Sequence, residues 1–230
     1  MHIARHIVQE LVFTFGEPEV ERWDVPMTES ELDGVERHRN LGRAHDVSLV
    51  IQDGDKLAVI RKPGYPPGAY RFPSGGIHPE ESFLDGAVRE ALEETGLSVR
   101  IEDYLLQVHA TFVSGLRPSA FALRATADPP KLHEGGSGSG QARRSSAEAA
   151  GERRAKWTTH VMLARPFEGS LAPRDTVEIE GARWIEWPEL TDEVNPLLRD
   201  SGLGGLAYHA RLHERVRAIL LTTNRAPAGP

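Results

Sequence analysis

Three glutamates stand close together in a segment with the features of a helix: Glu90, Glu93 and Glu94. Positions i, i+3 and i+4 share one face of a helix, within an arc of about 100°. Like charges at this spacing repel one another, at about 0.2–0.5 kcal/mol per pair. A hard divalent cation would remove that cost, because magnesium prefers oxygen ligands and commonly engages substrate phosphates. The alternative is a solvated acidic face, which is the ordinary state of an isolated acidic helix.

Residues on both sides of the three glutamates favour the metal site over the solvated face. The segment GGIHPEESFLDGAVREALEETGL runs from Gly75 to Leu97. Gly75 and Gly76 suit a tight loop whose backbone can approach a ligand. Gly96 suits the left-handed position that ends a helix. Seven specified residues, each at a usage of about 7%, would match by chance on the order of 10⁻⁸ times per starting position.

This segment resembles the Nudix box, Gly-x5-Glu-x7-Arg-Glu-U-x-Glu-Glu-x-Gly-U, where U is a bulky aliphatic residue. It agrees at every charged and glycine position, and Ala91 is smaller than the usual U residue. Tyr70 to Pro73 resembles the strand that enters the box, and Asp175 to Glu178 resembles a late loop of the family. The similarity covers about residues 45–190, apart from an insertion described below.

The resemblance implies an α/β fold of the Nudix type, in which a mixed β-sheet is sandwiched between helices in an α/β/α arrangement. The box then forms a loop, a helix and a second loop. Glu90, Glu93 and Glu94 would bind Mg²⁺ or Mn²⁺. Glu81 and Arg89 would pair to brace the loop, and Arg89 would also orient the acidic cluster.

The resemblance also implies a fourth carboxylate, from the late loop. Glu178 is the candidate, and Glu180 is its rival, because alternation along an extended segment would put both on one side. Glu93, Glu94, Glu178 and Arg89 are the candidate catalytic residues. The structural candidates are Gly75, Gly76, Glu81, Arg89 and Gly96. Tyr70 and Arg71 are weaker candidates for substrate contact, since a structural role fits them equally well.

The activity that the resemblance implies is hydrolysis of the pyrophosphate linkage in a nucleoside diphosphate joined to another moiety. Water would attack one phosphorus with the assistance of the metal. The alternative is a catalytically inactive Nudix-fold module that senses a ligand, although such proteins usually lose box glutamates. An isomerase of the same fold would use a cysteine, and the chain has none. The expected partner is a nucleotide-like small molecule.

The elements that must position the box follow from local patterns. Ser82 to Thr95 is the clearest helix, and Thr28-x-x-Glu31 is a capping box that predicts a helix to about Asn40. Apolar runs at 47–51 and 57–60 around Gln-Asp-Gly-Asp predict a hairpin. Residues 6–15 fit a strand or a short helix. Further strands are predicted at 98–101, 105–113, 119–126, 157–164 and 182–187, and an amphipathic helix at 203–221.

We expect three parts along the chain. Residues 1–44 form an N-terminal extension, which is also a candidate homodimer contact. Residues 45–222 form the hydrolase domain, with a flexible insertion at about 129–154, and 223–230 form a disordered tail. The insertion contains Gly-Gly-Ser-Gly-Ser-Gly and a polar Ala/Arg/Glu run, which is linker composition. We predict that residues 135–153 are disordered and are not part of the active site.

Composition narrows the function further. The formal net charge is −7, so the chain is not built to neutralise the phosphates of duplex nucleic acid. The absence of cysteine excludes disulfides, thiolate zinc sites and cysteine nucleophiles. No apolar run approaches the roughly 18 residues of a membrane span. We therefore expect a cytoplasmic protein with no membrane partner.

Overall fold

A mixed β-sheet with helices on both faces forms the frame of the molecule. The structure is a computed structural model, and it describes residues 3–78, 81–114 and 152–222. The helices are α1 (Arg5–Phe15), α2 (Glu29–Asn40), α3 (Phe83–Thr95), a short α4 (Trp187–Glu189) that continues as a π-helical turn (Leu190–Val194), α5 (Asn195–Asp200) and α6 (Gly204–Thr222). The strands are β1 (Glu19–Met27), β2 (His45–Asp53), β3 (Lys56–Arg61), β4 (Ser74–Gly75), β5 (Leu97–Ser114), β6 (Arg154–Gly169) and β7 (Gly181–Glu186).

The strand order in the sheet is β1-β5-β6-β2-β3-β7, and the short β4 pairs with β2. Two neighbouring pairs are parallel, β1 with β5 and β2 with β6. The pairs β5–β6, β2–β3, β2–β4 and β3–β7 are antiparallel. The mixed α/β fold class predicted from the sequence is therefore confirmed.

The two faces of the sheet bury separate hydrophobic clusters, because successive side chains of a strand point to opposite faces. On one face, Leu49 of β2 packs in a cluster with Leu11 of α1 and Ala87 of α3. On the other face, Val50 of β2 packs in a cluster with Leu212 of α6. Helix α3 is thereby fixed against the sheet, with one side left to face solvent and the neighbouring loops.

Most elements with a strong local signal form where the sequence predicts them. The hairpin is β2–β3, the capping box at Thr28 starts α2, and the C-terminal helix is α6. Residues 6–15 resolve as the helix α1. The strands predicted at 98–101 and 105–113 are one strand, β5, which continues through register shifts against β6 at Ile101/Asp103 and Tyr104/Leu106.

Strand β1 was not predicted, and it belongs to the main sheet. It pairs along its whole length with β5, and it buries Trp23 and Val25 in the core. Acidic and basic residues fill most of its other positions, which hid the apolar alternation. The N-terminal extension assigned to residues 1–44 therefore contributes an edge strand to the domain's own sheet. The short elements between 187 and 200 were also not predicted.

The predicted strand at 119–126, most of the predicted insertion and the tail at 223–230 lie outside the described residues. Strand β6 begins at Arg154, and the prediction that disorder extends from 135 to 153 is wrong at Arg153, whose carbonyl accepts a hydrogen bond from the Ser114 backbone N–H at 3.0 Å. Arg153 forms ion pairs with three acidic residues of α2, Glu29, Asp33 and Glu36. Across the described residues, no helix is both long and apolar enough to cross a membrane.

Candidate active site

A cleft of about 350 Å³ lies between α3, the start of β2 and the loop that precedes β7. One side of the cleft is acidic and is lined by Glu90, Glu93, Glu94, Asp175 and Glu178. The cleft is also lined by His38, Arg43, Asp46 and Trp157. The cleft therefore brings together all four carboxylates that the sequence analysis selected as metal ligands.

Helix α3 presents its glutamates to this cleft because its ends and its apolar face are fixed. The Ser82 hydroxyl caps the helix by accepting a hydrogen bond from the Asp85 backbone N–H, at 3.1 Å. Gly96 ends the helix in the left-handed conformation, with φ of 79°. A β-carbon there would also lie 2.2 Å from the Ala172 carbonyl oxygen, so only glycine fits.

The loop before α3 gives the Glu90 carboxyl group its place. A β-carbon on Gly75 would lie 1.9 Å from Cδ of Glu90, so the missing side chain is what lets this carboxyl group pack on the loop backbone. Gly76 plays a milder part, because a β-carbon there would lie 3.2 Å from the Arg43 guanidinium. The close backbone approach predicted for the two glycines thus serves a neighbouring side chain in each case.

Arg89 ties the loop to the acidic face. Its Nε and Nη2 donate to the two carboxylate oxygens of Glu81, at 3.0 and 2.7 Å. Nη2 also donates to the Gly76 carbonyl, at 3.0 Å. Nη1 donates to Glu90 Oε1 at 3.0 Å and to Glu93 Oε2 at 2.8 Å. The chain thus forms the Glu81–Arg89 pair that the family resemblance implied, and the same guanidinium holds two carboxylates of the cluster.

Glu94 is the most deeply buried carboxylate of the cluster, with 3% of the residue exposed. Its Oε2 accepts a hydrogen bond from the Ser74 backbone N–H at 2.7 Å. Its Oε1 lies 3.3 Å from Lys62 Nζ and 3.6 Å from Arg71 Nη2. Arg71 is itself buried and donates to the Ser74 hydroxyl at 2.5 Å and to the Phe72 carbonyl at 2.9 Å. Its guanidinium therefore holds Glu94 and the loop together.

Glu178 faces the α3 glutamates from the loop before β7. Lys62 Nζ lies 3.0 Å from Glu178 Oε2 and 3.3 Å from Glu94 Oε1, so one ammonium group bridges the two carboxylates. Glu180 instead pairs with Arg61 at 2.7 Å, and it does not line the cleft. Of the two glutamates that the sequence left open, only Glu178 reaches the cleft.

The alternation argument that put Glu178 and Glu180 on one side was wrong, because residues 176–178 form a turn. The Asp175 carboxylate caps this turn by accepting hydrogen bonds from the backbone N–H groups of Val177 and Glu178, at 3.0 and 2.9 Å. The loop is anchored on α3, since the Asp175 backbone N–H donates to the Glu93 carbonyl at 3.0 Å. The turn therefore carries Glu178 to the end of α3.

Tyr70 lies away from the cleft. Its ring packs against the core, and the Arg183 guanidinium stacks over it at 4.6 Å from the ring centroid. Arg71 borders the cleft but is 97% inaccessible, so its main contacts are with the protein. Of the two candidates for substrate contact, Tyr70 therefore packs against the core, and Arg71 contacts Glu94.

Several cleft residues were not found from the sequence: Arg43, Lys62, Asp46 and Trp157. They come from a loop, from the end of β3 and from two parallel strands, and no motif links them. For Lys62 the sequence offered one indication, because this cation stands at the boundary between an apolar strand and a Pro/Gly-rich stretch. Only the pairing of β2 with β6 brings Asp46 and Trp157 together.

The electrostatics of the cleft show an excess of closely packed negative charge. Burial raises the pKa of Glu90 to about 7, and the charges of Glu94 and Glu93 act in the same direction against Arg89. The hydrogen bonds from Arg89 lower the pKa of Glu81. Burial also raises the pKa of Asp46, against hydrogen bonds from Thr159 and Trp157. A further cation beside Glu90 would therefore stabilise its charged form.

The donor set suits a hard divalent cation, since every candidate ligand is a carboxylate oxygen. Among the described residues, no three potential ligands already converge as a complete metal site. Arg89 and Lys62 instead occupy the positions between the carboxylates. The Glu93 and Glu178 side chains are 45% and 64% exposed, so both can turn toward an ion without disturbing the core.

The class of this protein is defined by two features. One is the α/β/α sandwich, and the other is a loop–helix–loop, braced by an arginine, that presents carboxylates to a cleft. The family model for the NUDIX domain matches residues 42–201, well over half of the chain. The chain therefore belongs to the Nudix family. The matched region includes the cleft residues of α3, Lys62 and Glu178, and it leaves out α1, β1, α2 and α6.

Solved structures similar to this chain come from several bacteria. A NUDIX hydrolase from Nitrosomonas europaea is 16% identical over 76% of this chain and 89% of its own, with a TM-score of 0.46. An ADP-ribose pyrophosphatase from Streptococcus suis is 14% identical over 78% and 90%, with a TM-score of 0.41. The E. coli ORF135 protein is 16% identical over 80% and 94%, with a TM-score of 0.43. At these values the likenesses carry no argument about substrate.

Proposed function

We propose that this protein hydrolyses the pyrophosphate linkage of a nucleoside diphosphate joined to another moiety. The observation that carries the proposal is the convergence of Glu90, Glu93, Glu94 and Glu178 on one side of a cleft, with Arg89 bracing them. An acidic cluster on a loop–helix–loop has no evident use in packing, because its like charges repel.

The four carboxylates would hold Mg²⁺ or Mn²⁺. When bound, such an ion withdraws electron density from phosphoryl oxygens and neutralises charge that develops during hydrolysis. Burial, with the nearby charges of Glu94 and Glu93, raises the pKa of Glu90, and an adjacent cation would stabilise its charged form. Glu93 and Glu178 each have one carboxylate oxygen that Arg89 or Lys62 does not contact.

The protein's own groups would divide the remaining work. The free oxygens of Glu93 and Glu178 can orient a water molecule and accept its proton. Glu94 is buried and held by Ser74 and Arg71, so it supplies a fixed charge at the base of the cluster. A charge that is already fixed in position needs no reorganisation during the reaction, and it therefore stabilises the transition state more effectively.

Cationic side chains at the cleft suit the phosphates of the substrate. Lys62 bridges Glu94 and Glu178, and it can turn to the phosphoryl oxygens once an ion takes its place between the carboxylates. The Arg43 guanidinium lies beside Gly76 and lines the same cleft. Both cations could therefore contact the diphosphate.

The test is a panel of substrates with purified wild-type protein: nucleoside triphosphates, nucleotide sugars, ADP-ribose and dinucleotide polyphosphates. Each is incubated with Mg²⁺, with Mn²⁺ or with EDTA, and the products are separated by ion-exchange chromatography. We expect cleavage between two phosphorus atoms for at least one class, abolished by EDTA. We also expect an alkaline optimum, because the attacking water must lose a proton.

The alternative is a ligand-sensing module without catalysis. Under that alternative, substrates of the panel would bind and come back uncleaved with either metal. Cleavage that continues at full rate in EDTA would contradict the proposed role of the carboxylates.

A further inference from the structure

Asp46 is a charged residue in the cleft that the proposed hydrolysis does not use. It lies in β2, it lines the same cleft as the α3 glutamates, and it is only partly buried. A carboxylate in this position is costly to bury without partners. Its partners, and the acceptor sites that they leave unused, indicate what it is for.

A directional hydrogen-bond chain fixes the Asp46 carboxylate. The Tyr208 hydroxyl, buried on α6, donates to Thr159 Oγ1 at 2.8 Å. Thr159 Oγ1 in turn donates to Asp46 Oδ1 at 2.6 Å. Because an ionised carboxylate can only accept, and each hydroxyl has one proton, the chain runs toward the charged form of Asp46. The Trp157 side chain also hydrogen-bonds to this carboxylate.

The fixed carboxylate keeps acceptor capacity for a ligand. An ionised carboxylate offers about four acceptor sites, and the hydrogen bonds from Thr159, Trp157 and the backbone N–H of Asp46 use three of them. A cationic ligand is disfavoured here, because Arg71 already acts on Asp46 and Arg43 lines the same cleft. A phosphate is disfavoured by the negative charge of Asp46. What remains is a neutral hydrogen-bond donor, a hydroxyl or an N–H group.

The neighbouring Trp157 fits the same occupant. Its ring lines the cleft and is only partly packed against the core. Stacking of a nucleobase on an aromatic side chain is worth about 1–3 kcal/mol. The cleft thus combines two kinds of lining residue. The glutamates and Lys62 suit the diphosphate, and Trp157 with Asp46 suits an aromatic, hydroxylated group.

We infer that Asp46 determines substrate specificity, by accepting hydrogen bonds from the nucleoside part of the substrate. The shared chemistry is a neutral donor, which a nucleoside supplies either as a ribose hydroxyl or as an N–H group on the edge of the base. Thr159 and Tyr208 are positioning residues that hold the carboxylate. The inference rests on the proposed function for the identity of the substrate, and the binding of products tests it separately.

The experiment measures the binding of nucleoside monophosphates by isothermal titration calorimetry, with inorganic pyrophosphate as a probe that lacks a nucleoside. The four common ribonucleotides and their 2′-deoxy counterparts are compared on wild type and Asp46→Asn. The matched control is Asp53→Asn, an exposed residue at the far end of the same strand. Thr159→Val keeps the carboxylate but removes its donor, so it serves if Asp46→Asn fails to fold.

We expect Asp46→Asn to weaken nucleotide binding about 10- to 100-fold, which corresponds to a hydrogen bond to a charged group. Thr159→Val should show part of that loss. Pyrophosphate binding by the folded variants, and every measurement on Asp53→Asn, should match wild type. If the 2′-deoxy nucleotides bind wild type more weakly by this factor, and Asp46→Asn does not weaken their binding further, the donor is the ribose hydroxyl. If the loss depends on the base, the donor is an N–H group.

In turnover, the Asp46→Asn variant should raise KM by a similar factor and change kcat by no more than about threefold, because Asp46 would bind the nucleoside and not the ion or the attacking water. Wild-type affinity for every nucleotide in Asp46→Asn would overturn the inference, and so would absence of nucleotide binding to wild type. Hydrolysis with no dependence on Asp46 would refute this inference alone. Nucleotide binding that depends on Asp46, without any hydrolysis, would refute the proposed function instead.

Discussion

Replacing Gly75 by alanine should disable the site through one carboxyl group. The new β-carbon would lie 1.9 Å from Cδ of Glu90 and 2.0 Å from its Oε2. Carbon atoms pack at about 3.5 Å or more, so the carboxyl group must retreat by roughly 1.6 Å. Arg89 holds the same carboxylate at 3.0 Å, and the shift would break that contact as well.

The size of the effect follows from the displacement. Metal–ligand distances tolerate about 0.2 Å, and a misplacement of about 1 Å can cost 10²-fold in rate. We expect kcat of Gly75→Ala to fall about 10²-fold, which corresponds to roughly 2.7 kcal/mol of transition-state stabilisation. The loss of folding stability should be smaller, about 1–3 kcal/mol, because the side chain that gives way is at the surface of the cleft.

The assay is steady-state hydrolysis of the best substrate from the panel, together with thermal unfolding of each variant. Gly34→Ala is the matched control. It lies inside α2, where the added β-carbon meets nothing closer than 3.8 Å, so it should keep full activity and gain up to about 1 kcal/mol of stability. Full kcat in a correctly folded Gly75→Ala would refute the reasoning about Glu90.

Three further predictions concern other parts of the chain. Burial lowers the pKa of His160 and His213 to about 3, so below pH 6.5 only the unfolded chain takes up these protons. The free energy of unfolding in urea should therefore fall by about 2–4 kcal/mol from pH 7.5 to 5.5, and a flat profile would contradict this. Glu178→Gln should lower kcat by about 10-fold or more while Glu180→Gln keeps it, and equal rates would exclude the fourth carboxylate. Replacing residues 135–151 by a short Gly/Ser loop should leave kcat and the melting temperature nearly unchanged, and loss of activity would place that segment in the site.

Local signals explain which parts of the fold could be predicted. The capping box at Thr28, the Gln-Asp-Gly-Asp turn and the periodic helix at 82–95 each involve residues within a few positions of one another, and all three form. Strand β1 failed because its stability comes from pairing with β5, about 87 residues further along the chain. Four of its nine residues are charged, and they obscure the apolar alternation that would have indicated a strand.

The cleft residues likewise divide into those that a local sequence pattern predicts and those that depend on contacts between distant segments. The spacing of the box put three glutamates on one face of α3, and one helix suffices for that. The choice between Glu178 and Glu180 depended on a turn capped by Asp175, and the extended reading of this segment was wrong. Lys62 and Asp46 line the cleft because of sheet pairing and loop packing. These contacts join distant segments, so no single stretch of the sequence predicts them.

The most direct test of the account is kcat of Glu93→Gln and Glu94→Gln with saturating Mg²⁺, on a diphosphate substrate that wild type cleaves. Glu10→Gln, an exposed residue of α1, is the control. The account predicts that each cleft variant loses roughly 10²-fold or more in kcat, about 2.7 kcal/mol, and that Glu10→Gln loses nothing. Wild-type turnover by both folded cleft variants would contradict the claim that this carboxylate cluster performs the hydrolysis.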